Sequence, residues 1–387
     1  MSSRWPGKYV IGLTGNIATG KSVVRKMLEH LGAFGLDADA LSHQAIAPGG
    51  PAYAAVIKHF GEWLLTDTRE INRNRLARLV FTDPEALAAL EAIIHPVVGQ
   101  GVDFLVRRAR SPVAVVEAIK LIEAGVAKHC DAVWVVHVPE RLQEARLISK
   151  RKMTRPEARQ RIAAQGPQAE KLKYADVAIE NSGSFEATWS QVQAAFNQII
   201  RSAPATAEAL RVPEAPPPGI GQPATVRVRR GMPSDAAAIA SFIKYATHGQ
   251  VAMSRGDVMA AFGEKAYMLA DYGGHLAAIA GWKVENLVAR VDEMYVAPNA
   301  PLDKLAPAML EAVESASRDL QSEAALVFVT PLMAGAAARA LAGRGFSPTT
   351  LEQLPVAAWL EAARESRPPG AEMLFKKLRD DRVLRPI

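Results

Sequence analysis

Cysteine is all but missing: Cys130 is the only one in 387 residues. A single thiol excludes an internal disulfide framework and suits a reducing compartment, so the chain reads as cytoplasmic. Cys130 precedes the apolar run Val133-Trp134-Val135-Val136, which predicts a buried structural thiol and not a nucleophile. No uninterrupted apolar run approaches membrane-spanning length, so no membrane partner is expected. The apolar stretch from Tyr9 is too short for a secretory signal and runs directly into a glycine-rich loop. The net charge of +6 fits phosphorylated small molecules as well as nucleic acid; aromatic residues make up only 6% and form no basic-aromatic stripe, so no nucleic-acid partner is expected. There is no internal repeat.

What is present is division and one strong motif. The length predicts two domains. Around 202–224 the chain turns rich in Ala and Pro without apolar period, including Pro216-Pro217-Pro218, which reads as a semi-stiff linker. It separates 8–201 from 225–387. In the first part, Gly15-Asn16-Ile17-Ala18-Thr19-Gly20-Lys21-Ser22 fits G-x-x-x-x-G-K-[ST], with the strand-like Tyr9 to Leu13 before it. Val23, Val24, Met27, Leu28 and Leu31 follow at helical spacing. A strand, a glycine loop and a helix N-terminus together make a phosphate cradle, with Lys21 for the outer phosphates and Ser22 for Mg²⁺.

A second strand, Ala33 to Leu36, ends in Asp37-Ala38-Asp39. Ligands of an open α/β sheet sit beyond the C-terminal strand ends, so one aspartate can serve as general base and the other hold a Mg²⁺ water. Alternatively, either one caps the helix starting near Ala40; the base role falls to Asp39. Thr82-Asp83-Pro84-Glu85 opens a helix whose stripe Leu87, Leu90 and Ile94 is expected to end at His95-Pro96. Val113 to Val116 is a central strand ending in Glu117, where P-loop enzymes place the carboxylate that holds Mg²⁺. Next come Arg146, Lys150, Arg151, Lys152, Arg155, Arg159 and Arg161, with a capping box at Thr154 to Glu157 and Lys150 to Met153 as the turn before it. After a P-loop core, this basic helix–turn–helix reads as a lid that clamps phosphates.

From Val10 to about Ile200 the chain resembles dephospho-CoA kinase: Ile11 to Ser22, Asp37-Ala38-Asp39, Pro48-Gly49 through Phe60-Gly61, Phe81-Thr82-Asp83-Pro84, His95-Pro96, Glu123-Ala124-Gly125, Arg161-Ile162-Ala163-Ala164-Gln165 and Asn181-Ser182-Gly183 match its motifs in order. The resemblance implies a P-loop α/β fold with a parallel sheet flanked by helices, a helical acceptor-binding region and a lid. It implies transfer of the ATP γ-phosphoryl to the ribose 3′-hydroxyl of dephospho-CoA. In that reading Asp39, Lys21, Arg146 and Arg151 are catalytic, and the loop residues Gly15 to Ser22 with Asn181 bind ATP. Asp37, His95, Glu123, Arg161 and Gln165 contact the acceptor, and Ser22 and Glu117 hold Mg²⁺. Three positions depart from the pattern. Glu117-Ala118-Ile119-Lys120-Leu121 stands for D-x-P-L-L, Lys150 replaces a lid arginine beside Arg151, and His137 replaces an aspartate.

From Val226 a strand, the Pro233-Ser234-Asp235 cap and an amphipathic helix resemble the opening of the Gcn5-related N-acetyltransferase fold, an α+β domain. Strands follow at Tyr267 to Ala270, His275 to Trp282 and Met294 to Val296, then a helix from Asp303, a strand at Leu326 to Val329, a helix, and Gly345-Phe346. That family's pyrophosphate loop, R/Q-x-x-G-x-G/A, is replaced by Pro301-Leu302-Asp303-Lys304-Leu305-Ala306, so the chemistry is expected to be lost, with Asp303 capping the helix. The rivals are another nucleoside or nucleotide kinase, a nucleotide-dependent switch, and a bifunctional protein with a working acetyltransferase.

Overall fold

The computed structural model describes residues 4–202, 225–329, 341–381 and 383. The strand expected from Tyr9 forms as β1 (Tyr9–Thr14), buried along all but its first residue. It is the middle of a five-stranded sheet ordered β2-β3-β1-β4-β5, with β2 (Phe34–Asp37), β3 (Val113–Glu117), β4 (Ala132–His137) and β5 (Val177–Glu180). The β1–β3, β1–β4 and β4–β5 pairs are parallel, so the connections must cross over, and helices do so. Strand alternation sorts the faces. Ile11 and Leu13 join Val24, Met27 and Leu28 of α1 (Lys21–His30) in a core with Trp134, Val136 and Phe196. Gly12 takes the other face, where a Cβ would run into Leu121 and Cys130. Cys130 is thus a half-buried packing residue, and burial pushes its thiol up to about 12.

The helical region consists of α2 (Ala38–Ala45), α3 (Tyr53–Phe60), α4 (Arg73–Thr82) and α5 (Pro84–Arg108), with α5 packed against α2 and α4. Asp83 caps α5 as expected, its Oδ1 accepting from the Glu85 and Ala86 amides at 2.9 and 3.2 Å. The expected end at His95-Pro96 is wrong: α5 continues to Arg108. Pro96 forfeits one backbone bond on the exposed side, at about 3 kcal/mol. The turns beyond it bury Val98, Val102, Leu105 and Val106, each worth roughly 1.5–3 kcal/mol, and that burial wins. By length and composition alone α5 would suffice to cross a membrane; in the fold these side chains give it a buried face.

The basic segment forms α6 (Glu140–Arg151) and α7 (Arg155–Ala163), with the predicted capping box at Thr154 and Glu157. Helix α6 runs on through Lys150 and Arg151, so the turn begins only at Lys152, whose φ of 56° closes the helix. Helices α8 (Gln168–Leu172) and α9 (Phe185–Ser202) complete this part. The predicted linker 202–224 lies outside the described residues, except for Ser202, the last residue of α9.

A second sheet has seven strands in the order β11-β12-β10-β9-β8-β7-β6. They are β6 (Val226–Arg230), β7 (Ala266–Tyr272), β8 (His275–Glu285), β9 (Val288–Val296), β10 (Ala324–Val329), β11 (Ser347–Pro348) and β12 (Glu372–Lys377). Asn286 and Leu287, both at positive φ, form the two-residue turn between β8 and β9. The β9–β10 pair is parallel, whereas β6–β7, β7–β8, β10–β12 and β11–β12 are antiparallel. With α10 (Ala236–Ala246), α11 (Arg255–Ala261), α12 (Leu302–Asp319) and α13 (Ala357–Ser366), the described elements follow the order expected from the sequence. The helix predicted after Val329 falls largely outside the described residues.

Packing groups the chain into two compact units. One comprises Met1–Leu36, Ala109–Lys283 and Glu293–Leu320, and the other Asp37–Arg108, Val284–Asp292 and Gln321–Ile387. The first holds the core under β1 and a second cluster around Ile239, Ile243, Phe262 and Tyr267. The other holds α2 to α5 and a cluster around Leu326, Phe328, Trp359 and Met373.

Candidate active site

The loop between β1 and α1 owes its shape to two glycines. Gly20 has φ 92°, and a Cβ there would strike the Asn181 amide; at Gly15 it would strike the Val136 carbonyl. Inside the loop, Thr19 Oγ1 donates to the Asn16 carbonyl at 2.9 Å and Lys21 Nζ to the same oxygen at 3.3 Å. Lys21 is only 7% exposed, so its ammonium is directed into the loop and not out to solvent.

Two side chains predicted for catalysis and ATP grip this loop from outside. Arg146 Nη1 donates to the Ala18 and Thr19 carbonyls, both at 3.2 Å, and Nη2 donates to the Asn181 carbonyl at 2.7 Å. Asn181 Nδ2 donates to the Thr19 carbonyl at 2.8 Å, while its oxygen accepts from Thr188 Oγ1 at 2.9 Å. The lid also reaches the loop. The Ile17 amide donates to Gln165 Oε1 at 2.6 Å, Asn16 Nδ2 donates to the Gly166 carbonyl at 3.0 Å, and Ile17 packs among Leu147, Ala158 and Ile162. Gln165, expected at the acceptor, here has the loop backbone as its partner. Arg151 and Arg161 are exposed on the lid. Arg155 and Arg159 instead converge on Glu144, at 2.9 and 3.1 Å.

Glu117 ends β3 and is 3% exposed. Its Oε1 accepts from Ser22 Oγ at 3.1 Å and its Oε2 from Arg25 Nε at 2.7 Å, so the two predicted metal-holding residues are in contact. A hydroxyl and a carboxylate are hard oxygen donors that suit Mg²⁺, an ion that keeps several waters and phosphate oxygens. Among the described residues no group of three or more His, Cys, Asp and Glu could hold a metal, so a cation here needs those outside ligands. Glu123 Oε1 accepts from the buried Lys171 ammonium at 2.9 Å. Burial raises that carboxyl, yet the Lys171 hydrogen bond and charge leave it below its ordinary value.

In the other unit, Asp37 proves to be the helix cap: its Oδ1 accepts from the Ala40 amide at 2.9 Å. Asp39 follows in the first turn of α2, half-buried. One turn on, His43 is pushed below its ordinary pKa by burial and by Arg73, against the pull of Asp39 and Asp37. His95 is exposed on α5.

Comparison with known proteins follows the same residues. A family model described as dephospho-CoA kinase matches residues 9–187. The dephospho-CoA kinase of Geobacter metallireducens is 43% identical over 198 residues, which cover 98% of that protein and 50% of this chain. The chain belongs to the dephospho-CoA kinase family. Among solved structures, TT1252 from Thermus thermophilus is similar at 32% identity and TM-score 0.45, covering 50% of this chain and 97% of that one. The putative acetyltransferase yncA from Salmonella typhimurium is similar at 13% identity and TM-score 0.31, covering 41% of this chain and 96% of that one.

Within this dephospho-CoA kinase family member, sequence reasoning missed two groups near predicted site residues. His43 carried no motif. Arg25 carried a weak one, being four residues before Glu29 on a helix face, but its bond to Glu117 depends on a strand 92 positions away.

Proposed function

We propose that this chain transfers the γ-phosphoryl group of ATP to the ribose 3′-hydroxyl of dephospho-CoA, giving coenzyme A and ADP. The observation that carries the reading is the closed phosphate loop, with Lys21 turned inward and Ser22 against Glu117, in a chain of this family. The loop amides and the α1 N-terminus bind phosphate oxygens, and Lys21 neutralises charge that grows on the leaving group. Asp39 accepts the proton as the hydroxyl oxygen bonds to the γ-phosphorus and the bond to the β–γ bridging oxygen breaks. Asp37 orients the helix that carries this base. Arg151 and Arg161 screen phosphate charge from the lid, and His95 and Glu123 belong to the acceptor's surroundings. Ser22 and Glu117 would hold Mg²⁺, which supplies positive charge to the β- and γ-phosphates. We place this chemistry in the cytoplasm, with no nucleic acid or membrane partner, and take 8–201 as the catalytic domain, 202–224 as linker and 225–387 as a second domain.

The test is ATP consumption against a panel of acceptors. Turnover with dephospho-CoA and formation of coenzyme A are expected; turnover of a nucleoside or nucleotide in its place overturns the reading. We infer further that the second domain is not a working acetyltransferase. Pro301, which has no N–H, is the N-cap of α12, where a pyrophosphate would need free amides. Asp303 lies within the first turn and makes no capping bond, a correction to its expected role. It sits too far inside the helix to cap it, yet still sets a negative charge where an anion would bind. Titration calorimetry of the full Lys21→Ala chain with acetyl-CoA checks this, micromolar binding being the contrary outcome.

A further inference from the structure

Arg25 lies one turn after Ser22 on α1 and belongs to a buried ionic cluster. Its Nε donates to Glu117 Oε2 at 2.7 Å and its Nη1 to Glu29 Oε1 at 2.6 Å, while Lys26 Nζ donates to Glu29 Oε2 at 2.8 Å. Less than a tenth of each of the four side chains is exposed. The cluster is built into the sheet, because a Cβ at Gly35 of β2 would fall on the Glu29 carboxylate. Two cations balance two carboxylates. Without that pairing, burying Glu117 and Glu29 would cost several kcal/mol each.

The geometry distinguishes the two oxygens of Glu117. One takes the Arg25 bond and the other faces the Ser22 hydroxyl. A glutamate has one more rotatable bond than the aspartate it stands for, so its carboxylate needs an outside hold to present a fixed oxygen. The guanidinium supplies it, and its planar fork is itself fixed by Glu29 at the far end. Lysine can supply the charge but not the two-ended hold.

We propose that Arg25 is the positioning residue for Glu117, fixing its carboxylate beside Ser22 and so setting the affinity of the phosphate loop for a divalent cation. The inference rests on the reading of Ser22 and Glu117 as the cation-holding pair.

The experiment titrates Mn²⁺ into the full chain saturated with ADP and reads free Mn²⁺ by electron paramagnetic resonance. Glu117→Gln is expected to remove the tight Mn²⁺ site. Arg25→Lys, which keeps the charge, is expected to weaken it about 10- to 100-fold, as loss of an outer-shell partner does. Glu117→Asp, whose shorter arm withdraws from Arg25, should weaken it too, and the Arg25→Lys/Glu117→Asp double variant should be less than additive. Glu29→Gln frees the far end of Arg25 while leaving Glu117 untouched, and a smaller loss there serves the same test if Arg25→Lys fails to fold. A merely structural ion pair would lower the melting temperature without changing Mn²⁺ affinity. Unchanged affinity in Arg25→Lys and in Glu29→Gln, alongside its loss in Glu117→Gln, overturns the positioning role. Unchanged affinity in Glu117→Gln strikes the cation-holding pair itself, and the inference falls with it.

Discussion

Lys21 is a buried cation that donates to a carbonyl of its own loop, at 3.3 Å. That arrangement does little for the core and much for an incoming phosphate. Lys21→Ala is therefore expected to lower kcat by at least about 10²–10³-fold, as loss of a charge-stabilising donor does, with stability within about 1 kcal/mol of the parent. Near-normal turnover in that variant would remove the loop from the chemistry. Asp39 and Asp37 divide differently, since Asp37 is engaged as a cap. Asp39→Asn should lose roughly 10²–10⁴ in kcat while ATP binding, followed by calorimetry, persists. If Asp37→Asn were the more damaging of the two, the base would be Asp37. His30 gives a third prediction. Its Nε2 donates to the Phe262 carbonyl at 2.9 Å in a buried setting, and burial above all, with Arg230 and Lys26, brings its pKa down to about 4. The folded-state value lies below the unfolded one, so the unfolded chain takes up the proton first. Stability should be full above about pH 6.5 and decline as pH falls from there toward 4, by on the order of 3 kcal/mol. Urea midpoints from pH 7 to 4 should show this slope in the parent and a shallower one in His30→Gln; equal slopes would refute it.

At the scale of elements, α5 shows how burial overrides a local stop signal. Pro96 is exposed in mid-helix and leaves one carbonyl a turn earlier without its amide partner. Pro96→Ala is expected to stabilise the chain by roughly 1–3 kcal/mol, read as a raised melting temperature; a fall would mean that the proline's kink is needed for packing. Because His95 adjoins it, the acceptor KM should shift while the KM for ATP stays put. The same helix marks the limit of what the sequence could tell. The phosphate loop, the capping box at Thr154, the side-chain cap at Asp83 and the strand before Glu117 were legible because each depends on residues within a few positions of one another. The stop at Pro96 misled, because the burial of Val102 and Leu105 comes from tertiary packing that no local pattern encodes. Gln165 against Ile17, and Asn181 against Thr19, are joined over 148 and 162 positions. No periodicity announces such bonds; they follow from the strand order β2-β3-β1-β4-β5. Resemblance named Gln165 and Asn181 without saying that both hold the loop's backbone.

At the scale of the whole molecule, the question is whether the kinase part stands alone. Half of this chain suffices to cover 98% of its Geobacter relative, and the phosphate loop, both aspartates, α5 and the lid all precede the proposed linker. Against independence stand the bonds that α1 makes to later residues: the Arg230 guanidinium on the Glu29 carbonyl at 3.2 Å and the His30 bond to Phe262. Arg73 meets Glu361 at 3.6 Å, but both side chains are nearly half exposed, and such pairs contribute about 1 kcal/mol at most. The neutral His30 bond contributes about as little, and the charge-assisted Arg230 bond about 1.5–3 kcal/mol. These losses are small beside the core under β1, which lies wholly before Ser202. A chain ending at Ser202 is therefore expected to fold and to phosphorylate dephospho-CoA with a kcat near that of the full chain. Its melting temperature should fall by roughly 2–8 °C, the equivalent of losing one or two such contacts in a domain of this size. It should also lose the part of the acid sensitivity that His30 owes to its enclosure by Phe262. Thermal melts and steady-state kinetics on the two chains settle the matter, and an insoluble or inactive truncation would make residues 225–387 part of the enzyme's own framework.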